Sequence, residues 1–124
     1  MSDLRILVVE DDPDGQEMVA TMLEHMNFPV DIVGNAEDAL HYLLNGDVNY
    51  NAVIIDLALP GMDGWELLAT ILKNPKVSHI PCVAVTAFHT FKMREDAIKA
   101  GFLAYLPKPI DGMELGRELD RLLS

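Results

Sequence analysis

The stretch Ala52-Val53-Ile54-Ile55-Asp56 has four consecutive apolar residues and then a carboxylate. Two other stretches are just as apolar: Ile6-Leu7-Val8-Val9 and Cys82-Val83-Ala84-Val85. A strand exposed on one face alternates apolar and polar residues, whereas a strand covered on both faces is apolar throughout. The three runs therefore predict the central strands of a parallel sheet that lies between two layers of helices.

Around these runs, short β-rich segments alternate five times with longer amphipathic segments. We predict strands at Arg5–Val9, Val30–Val33, Ala52–Ile55, Cys82–Thr86 and Ala104–Leu106. We predict helices from Asp12 to near Asn27, from Asn35 through Leu44, from Gly64 to Leu72, from Phe91 to Ala100 and from Asp111 to Leu123, the last with a capping box completed by Glu114. Five βα units of this size predict one doubly wound α/β domain that spans residues 1–124.

The charge of the chain excludes some classes of partner. The 124 residues include 20 acidic and 9 basic side chains, which gives a formal net charge of −11. Residues 1–66 carry 14 acids and one base, whereas residues 67–124 carry 6 acids and 8 bases. Because such a charge repels phosphate backbones and anionic lipid, we expect no direct binding to nucleic acid or to a membrane surface.

The single cysteine and the beginning of the chain indicate a cellular compartment. Cys82 has no second cysteine with which to form an intramolecular disulfide, and its apolar surroundings predict a small core residue. No apolar run approaches the roughly 18 residues of a membrane-spanning helix, and the first residues turn acidic where a signal peptide would stay apolar. We therefore expect a cytoplasmic protein.

Polar residues follow four of the five predicted strands. Glu10 and Asp11 follow the first strand, Asp56 the third, Thr86 ends the fourth and Lys108 follows the fifth. In doubly wound sheets, ligands bind at the carboxyl ends of the strands. Three carboxylates there would repel one another unless a cation lay among them, and oxygen ligands favour Mg²⁺, Ca²⁺ or Mn²⁺ over zinc, with so few carboxylates suiting Mg²⁺. A metal, a lysine and a hydroxyl together favour a phosphoryl site in which an aspartate is the nucleophile.

Four motifs carry a family resemblance that covers essentially the whole chain. They are ILVVEDDP (residues 6–13), IIDLALPGMDG (54–64), VAVTA (83–87) and YLPKP (105–109). In this order and at these spacings, the sequence resembles a response-regulator receiver domain of two-component signalling. The resemblance implies a flavodoxin-like (βα)5 fold with a five-stranded parallel sheet in the order 2-1-3-4-5.

The resemblance also implies a role for each site residue. Asp56 would accept a phosphoryl group from a histidine kinase or a histidine phosphotransfer protein. Mg²⁺ would be bound by Glu10, Asp11, Asp56 and the backbone carbonyl of Ala58. Thr86 and Lys108 would bind the phosphoryl oxygens.

Two further features of the site follow from the same resemblance. Tyr105 would change rotamer when Thr86 moves, and the bond between Lys108 and Pro109 would be cis. Such a protein is a phosphoacceptor that promotes its own phosphorylation and dephosphorylation, not a turnover enzyme. Its conformational switch would act on a downstream protein through the fourth helix, fifth strand and fifth helix.

Two site positions depart from the common pattern of these domains. Neither Ala58 nor Phe88, at two positions that line the site in this family, can hold a water molecule through a side-chain hydrogen bond, so we expect slow hydrolysis of the aspartyl phosphate.

Gly15 and Met18 match positions that dock a kinase or phosphotransfer helix. Because the sequence stops after the fifth helix, we expect no output domain, and we expect a monomer or a weak phosphorylation-dependent dimer.

The remaining candidates have structural explanations. Asp12, Asp14 and Asp63 suit helix capping and first-turn positions better than metal binding. Met22 and Met26 are expected in the core. The four histidines have no metal-ligand spacing and are not expected to carry a ligand or a phosphoryl group: His25, His41, His79 and His89.

Three alternative functions are considered. A receiver-like module that binds partners without phosphorylation would have no reason to keep the charged cluster. A phosphohydrolase with an aspartate nucleophile would need a second acid where Ala58 stands. A flavodoxin-like cofactor carrier would need a first loop that attracts phosphate, whereas Glu10, Asp11 and Asp12 would repel it.

Overall fold

The predicted parallel sheet is present in the computed structural model, which describes residues 4–124, so that residues 1–3 of the predicted domain lie outside the described residues. The strands are β1 (Ile6–Val9), β2 (Val30–Val33), β3 (Ala52–Asp56), β4 (Cys82–Thr86) and β5 (Ala104–Pro107). All four pairings are parallel and the order is β2-β1-β3-β4-β5. This is the flavodoxin-like order that the family resemblance implies.

The five helices alternate with the strands. They are α1 (Pro13–His25), α2 (Ala36–Asn45), α3 (Gly64–Lys73), α4 (Phe91–Ala100) and α5 (Gly112–Leu123). Most helix starts are as predicted: Asp12 caps α1, Asn35 caps α2, and Asp63 forms a capping box with Glu66 at α3. Each cap satisfies a backbone N–H group that the first helical turn leaves without a partner.

The predicted capping box of α5 is wrong. Asp111 does cap the helix, but its carboxylate accepts from the Met113 N–H at 2.9 Å, one residue earlier than a capping box requires. Among the hydrogen bonds of the described residues, none runs from the Asp111 N–H to the Glu114 carboxylate. The reason is local: an Asp carboxylate is short enough to close a two-residue turn on its own backbone.

Two apolar cores cover the two faces of the sheet. Successive β1 residues divide between them, because Leu7 and Val9 belong to the core beneath α2, α3 and α4, whereas Ile6 and Val8 belong to the core beneath α1 and α5. The β1, β3 and β4 side chains are buried throughout. The apolar runs of these strands therefore correspond to a sheet that helices cover on both faces.

The predicted core residues lie where expected. Cys82 is 2% exposed in the first core, and Met22 and Met26 pack, partly buried, against the second. Among residues 4–124, no helix is long and apolar enough to cross a membrane.

Three hydrogen-bonded polar side chains join three segments near the amino ends of the strands. The Tyr50 hydroxyl donates to Asp31 Oδ2 at 2.6 Å, and Arg5 Nη1 donates to Asp31 Oδ1 at 2.9 Å. Burial raises the pKa of Tyr50, and the hydrogen bond to the Asp31 carboxylate adds to the rise. These contacts tie the loop before β3 to β2 without involving the other end of the sheet.

Candidate metal and phosphoryl site

Three carboxylates meet at the carboxyl ends of β1 and β3. These strands pair side by side, with Val9 opposite Ile55, so Glu10 and Asp11 come next to Asp56. One oxygen of each carboxylate lies within 4.8 Å of the others. Glu10 is 3% exposed and Asp56 is 6% exposed, whereas Asp11 is open to solvent. Two buried carboxylates and one exposed carboxylate thus concentrate negative charge at this end of the sheet.

Lys108 enters this cluster from the loop that follows β5. Its Nζ donates to Glu10 Oε1 at 2.5 Å and to Asp56 Oδ2 at 3.0 Å. Burial alone would lower the pKa of Lys108, but the hydrogen bonds to Glu10 and Asp56 outweigh it and raise the pKa. The lysine therefore stays charged and holds two carboxylates from different strands. The Lys108–Pro109 peptide bond is cis, the isomer that the resemblance implies.

Both the side chain and the backbone of Glu10 accept hydrogen bonds. Its Oε2 accepts from the Asp12 N–H at 3.1 Å, and its backbone carbonyl accepts from Gln16 Nε2 at 2.7 Å. Burial raises the pKa of Glu10; the bond from Lys108 opposes this rise and the neighbouring Asp56 adds to it. A Cβ atom on Gly15 would lie only 2.9 Å from Glu10 Cδ and Oε1. The first turn of α1 passes this close only because residue 15 has no side chain.

Asp56 has a defined partner for each carboxylate oxygen. Oδ1 accepts from the Ala58 N–H at 2.9 Å, and Oδ2 accepts from Lys108. Behind it, α3 begins against the end of β3, since a Cβ on Gly64 would lie 2.6 Å from the Asp56 carbonyl oxygen. The carboxylate is therefore held in one orientation, and it shares Lys108 Nζ with Glu10.

Thr86 closes the β4 side of the site. It is 1% exposed, and its Oγ1 accepts from the Phe88 N–H at 3.0 Å. The Lys108 N–H donates to the Thr86 carbonyl at 2.8 Å, which joins the loop after β4 to the loop after β5. Because the Thr86 oxygen is an acceptor in this contact, its hydroxyl hydrogen remains available for donation. Phe88 itself is 68% exposed and offers no polar side-chain atom to the site.

Tyr105 is buried on β5, away from the carboxylates. It is 3% exposed, its hydroxyl lies 2.9 Å from His89 Nδ1, and Arg94 lies over its ring at 4.9 Å. Burial raises the pKa of Tyr105, opposed by the Arg94 cation and a backbone hydrogen bond at Thr90. No local sequence pattern connects His89 with Tyr105, because the residues are 16 positions apart.

The donor set fits a hard divalent cation. Within residues 4–124, one group of three acidic side chains could hold a metal ion: Glu10, Asp11 and Asp56. No histidine or cysteine belongs to this group. Carboxylate oxygens without nitrogen or sulfur are typical of Mg²⁺, Ca²⁺ and Mn²⁺ sites. Asp12 is occupied as the N-cap of α1, where it accepts from the Gly15 N–H, and Asp63 caps α3.

A groove that Glu10 helps to line runs along α1. It has a volume of about 370 Å³, and its lining includes Gly15, Met18, Pro109 and Ile110. Met18 is 47% exposed, so an apolar surface reaches the edge of the charged cluster. The two residues that the resemblance assigns to docking thus lie beside the site, although Gly15 also makes room for Glu10.

Comparison with known proteins identifies relatives over nearly the whole chain. A sequence model of the response regulator receiver domain matches residues 6–120. An uncharacterized 14.6 kDa protein in the sodA1 3' region of Leptolyngbya boryana is 38% identical over 117 residues, which is 94% of this chain and 88% of that protein. The transcriptional regulatory protein HprR of Escherichia coli K12 is 35% identical over 112 residues, which is 90% of this chain and 48% of HprR.

A solved structure resembles this one closely. The receiver domain of the sensor histidine kinase PA1611 from Pseudomonas aeruginosa PAO1, with a magnesium ion coordinated in its active site cleft, superposes with a TM-score of 0.87 at 30% identity, covering 98% of each chain. The chain spans most of the Leptolyngbya protein but about half or less of several longer relatives, among them HprR and CusR of Escherichia coli.

Proposed function

The chain belongs to the response regulator receiver domain family, and from this we propose that Asp56 accepts a phosphoryl group from the phosphohistidine of a sensor histidine kinase or of a histidine phosphotransfer protein. The protein would act as a phosphoacceptor in a two-component phosphorelay, not as a turnover enzyme. The cytoplasm is the compartment in which such a kinase domain would meet it.

One observation supports this function most strongly. The Asp56 carboxylate stands at the end of β3 with both oxygens fixed, by the Ala58 N–H and by Lys108 Nζ. In the proposed step, an Asp56 oxygen attacks phosphorus, the P–N bond breaks, a P–O bond forms, and the histidine ring nitrogen takes the electron pair. Lys108 Nζ, 3.0 Å from Asp56 Oδ2, places a positive charge beside the nucleophile and toward the negative charge of the incoming phosphoryl group.

Magnesium dependence is part of the proposal. Glu10, Asp11, Asp56 and the backbone carbonyl of Ala58 would hold Mg²⁺, with Glu10 acting through water. When bound, the ion neutralises negative charge on the carboxylates and on the transferring phosphoryl group. The support from this chain is its cluster of three acidic side chains within 4.8 Å, and the support from a relative is the magnesium ion in the PA1611 receiver domain.

Thr86 and Lys108 would bind the phosphoryl oxygens once transfer is complete. The buried Thr86 hydroxyl can donate, and Lys108 Nζ already touches Asp56. Movement of Thr86 would then be read through Tyr105 by a downstream protein at the surface formed by α4, β5 and α5. Phosphorylation would thereby shift a two-state equilibrium.

Loss of the phosphoryl group should be slow. Hydrolysis needs a water molecule held in line with the P–O bond, and residues 58 and 88 are the positions from which side chains of this family reach that water. Ala58 has only a methyl group, and Phe88 is apolar and 68% exposed. With neither side chain able to orient water, we propose a long-lived phosphorylated state.

The phosphodonor would dock along the groove beside α1. Gly15 and Met18 line it next to the carboxylates, and the thioether of Met18 suits contacts that adapt to a partner helix. The protein would bind its partners as a monomer or as a weak phosphorylation-dependent dimer, without direct contact to nucleic acid or membrane.

A phosphotransfer experiment tests the function directly. The purified chain is mixed with radiolabelled histidine kinases of the source genome, with Mg²⁺ or with a chelator. We expect label to move to the chain with Mg²⁺ and not with chelator, and to be released by hydroxylamine as an aspartyl phosphate is. The matched control is Asp56→Asn, which keeps the size of the side chain and removes the nucleophile. Label that persists on Asp56→Asn would place the acceptor elsewhere, and no labelling by any kinase would favour a module that works without phosphorylation.

A further inference from the structure

Four side chains form a cluster around the hydroxyl of Tyr105. We call His89, Phe91, Arg94 and Tyr105 the Tyr105 cluster. His89 Nδ1 lies 2.9 Å from the Tyr105 hydroxyl, and the two rings are 5.4 Å apart between centroids. Phe91 packs edge-on against the other side of His89 at 5.8 Å, and Arg94 covers the Tyr105 ring at 4.9 Å.

Exposure within the cluster is uneven. Tyr105 is 3% exposed, whereas Phe91 is 81% exposed and His89 and Arg94 are also open to solvent. A buried tyrosine hydroxyl needs a hydrogen-bond partner, or burial carries the full cost of removing it from water. The hydroxyl has two partners, a backbone hydrogen bond at Thr90 and the side chain of His89. His89 is the partner that a substitution can remove, and its contact adds to the stability of the buried position of Tyr105.

The backbone that carries His89 is fixed at both ends. On one side, Thr86 Oγ1 accepts from the Phe88 N–H at 3.0 Å, and on the other, Thr90 Oγ1 accepts from the Met93 N–H at 2.9 Å at the start of α4. His89 thus lies in a short loop that one hydrogen bond ties to the residue next to the phosphoryl site. The loop thus lies between Thr86 and the Tyr105 hydroxyl, with a hydrogen bond to each.

From this geometry we propose that His89 is a positioning residue, which holds Tyr105 in its buried rotamer before any phosphoryl group reaches Asp56. Its effect on signalling rests on the proposed function. With Tyr105 already buried, a phosphoryl group does not have to supply the free energy of ordering that side chain, so more of its binding energy goes to the shift at Thr86. Without His89, phosphorylation would have to do both.

Tyrosine NMR tests the positioning directly. The chain is labelled with ¹³C in its tyrosine rings, and the Tyr105 signal is assigned with Tyr105→Phe. In Mg²⁺ alone, we expect a single buried Tyr105 signal for the native chain and an averaged, exposed one for His89→Ala. His89→Phe, which keeps a ring but has no hydrogen-bonding atom, should behave like His89→Ala, whereas His89→Asn, which keeps a polar atom near the position of Nδ1, should restore the buried signal. Phe91→Ala is the matched control, since it removes the other ring of the cluster and leaves the hydrogen bond.

A beryllofluoride phosphate mimic supplies the second measurement. We expect His89→Ala to bind the mimic about 3- to 10-fold more weakly than the native chain, which is the loss of one typical hydrogen bond, and to show a buried Tyr105 once the mimic is bound. A Tyr105 signal that stays buried in both His89→Ala and His89→Phe overturns the inference. If the mimic gives no Asp56-dependent change in the native chain, the proposed function fails, while the NMR result in Mg²⁺ alone still decides the role of His89.

Discussion

Replacement of Gly15 by alanine tests how tightly Glu10 is confined. Alanine in a helix is favoured over glycine by about 0.5–1 kcal/mol, so most such substitutions at a helical site stabilise. At Gly15, however, the new Cβ would lie 2.9 Å from Glu10 Cδ and Oε1, which is closer than side chains approach one another. Glu10 is 3% exposed and must shift away from its partners.

The magnitude follows from the contacts that Glu10 would lose. Its bonds from Lys108 and from the Asp12 N–H involve a charged group, and the loss of one such bond costs about 1.5–3 kcal/mol. Set against the helix gain, Gly15→Ala should lower the free energy of unfolding by about 1–2 kcal/mol. It should also weaken Mg²⁺ binding roughly tenfold, as loss of a supporting group at a metal site commonly does.

Gly116 provides the matched control. It also lies in a helix, and a Cβ there would meet only the Met26 side chain at an ordinary 3.7 Å. Gly116→Ala should therefore raise the free energy of unfolding by about 0.5–1 kcal/mol, and it should leave Mg²⁺ affinity unchanged. Urea unfolding without metal and calorimetric titration with Mg²⁺ measure both quantities. Equal stabilisation by the two alanines, with equal Mg²⁺ affinity, would refute the reasoning, whereas recovery of affinity in Gly15→Ala combined with Glu10→Asp would support it.

Three further outcomes are expected. Burial raises the pKa of Cys82 to about 12 from an ordinary 9.0, so above pH 9 the unfolded chain loses a proton that the folded chain keeps. The free energy of unfolding should therefore fall by up to about 1.4 kcal/mol per pH unit. In urea unfolding, Cys82→Ala should show a shallower alkaline slope, and an unchanged slope would assign the effect to another group. Ala58→Asn and Phe88→Glu should each speed the loss of radiolabelled phosphoryl from the chain, and rapid loss from the native chain that neither variant accelerates would disprove the slow-hydrolysis proposal. Tyr50→Phe removes the hydroxyl that donates to Asp31 at 2.6 Å and should lower the free energy of unfolding by about 1 kcal/mol in denaturant titration, with no effect on Mg²⁺ affinity.

Sequence patterns determine the strands and helices here because local and global preferences agree. The run Ile6–Val9 is apolar at every position, and such a run is stable only between two helical layers. Proline at the start of α1 and glycine after α4 mark helix ends for purely local reasons, and Gly101 indeed has a φ of 122°. The predicted order of the strands, in contrast, came from family resemblance, since no local pattern specifies which strands are neighbours.

The details of the site were less accessible from sequence. That Glu10, Asp56 and Lys108 would lie at one edge of the sheet followed from their positions after strands. Two other features depend on distances between residues of different segments: the hydrogen bonds of Lys108 to both carboxylates, and the need for a residue without a side chain at Gly15. The contact of His89 with Tyr105 is of the same kind. Periodicity and spacing report on neighbours within one segment and carry no information on such contacts.

The charges of the site give a physical reason for the switch that we propose. Three carboxylates against the ammonium of Lys108 leave two negative charges, which one divalent cation balances. An aspartyl phosphate at Asp56 would carry about one more negative charge than the carboxylate it replaces, so the loaded site would again be short of positive charge. Thr86 is the buried hydroxyl next to the site, with its hydrogen still available for donation. Attraction of that hydroxyl toward the phosphoryl oxygens would pull on its bond to the Phe88 N–H, and so on the loop that carries His89. The excess charge at Asp56 would in this way reach Tyr105 through two hydrogen bonds of the described structure.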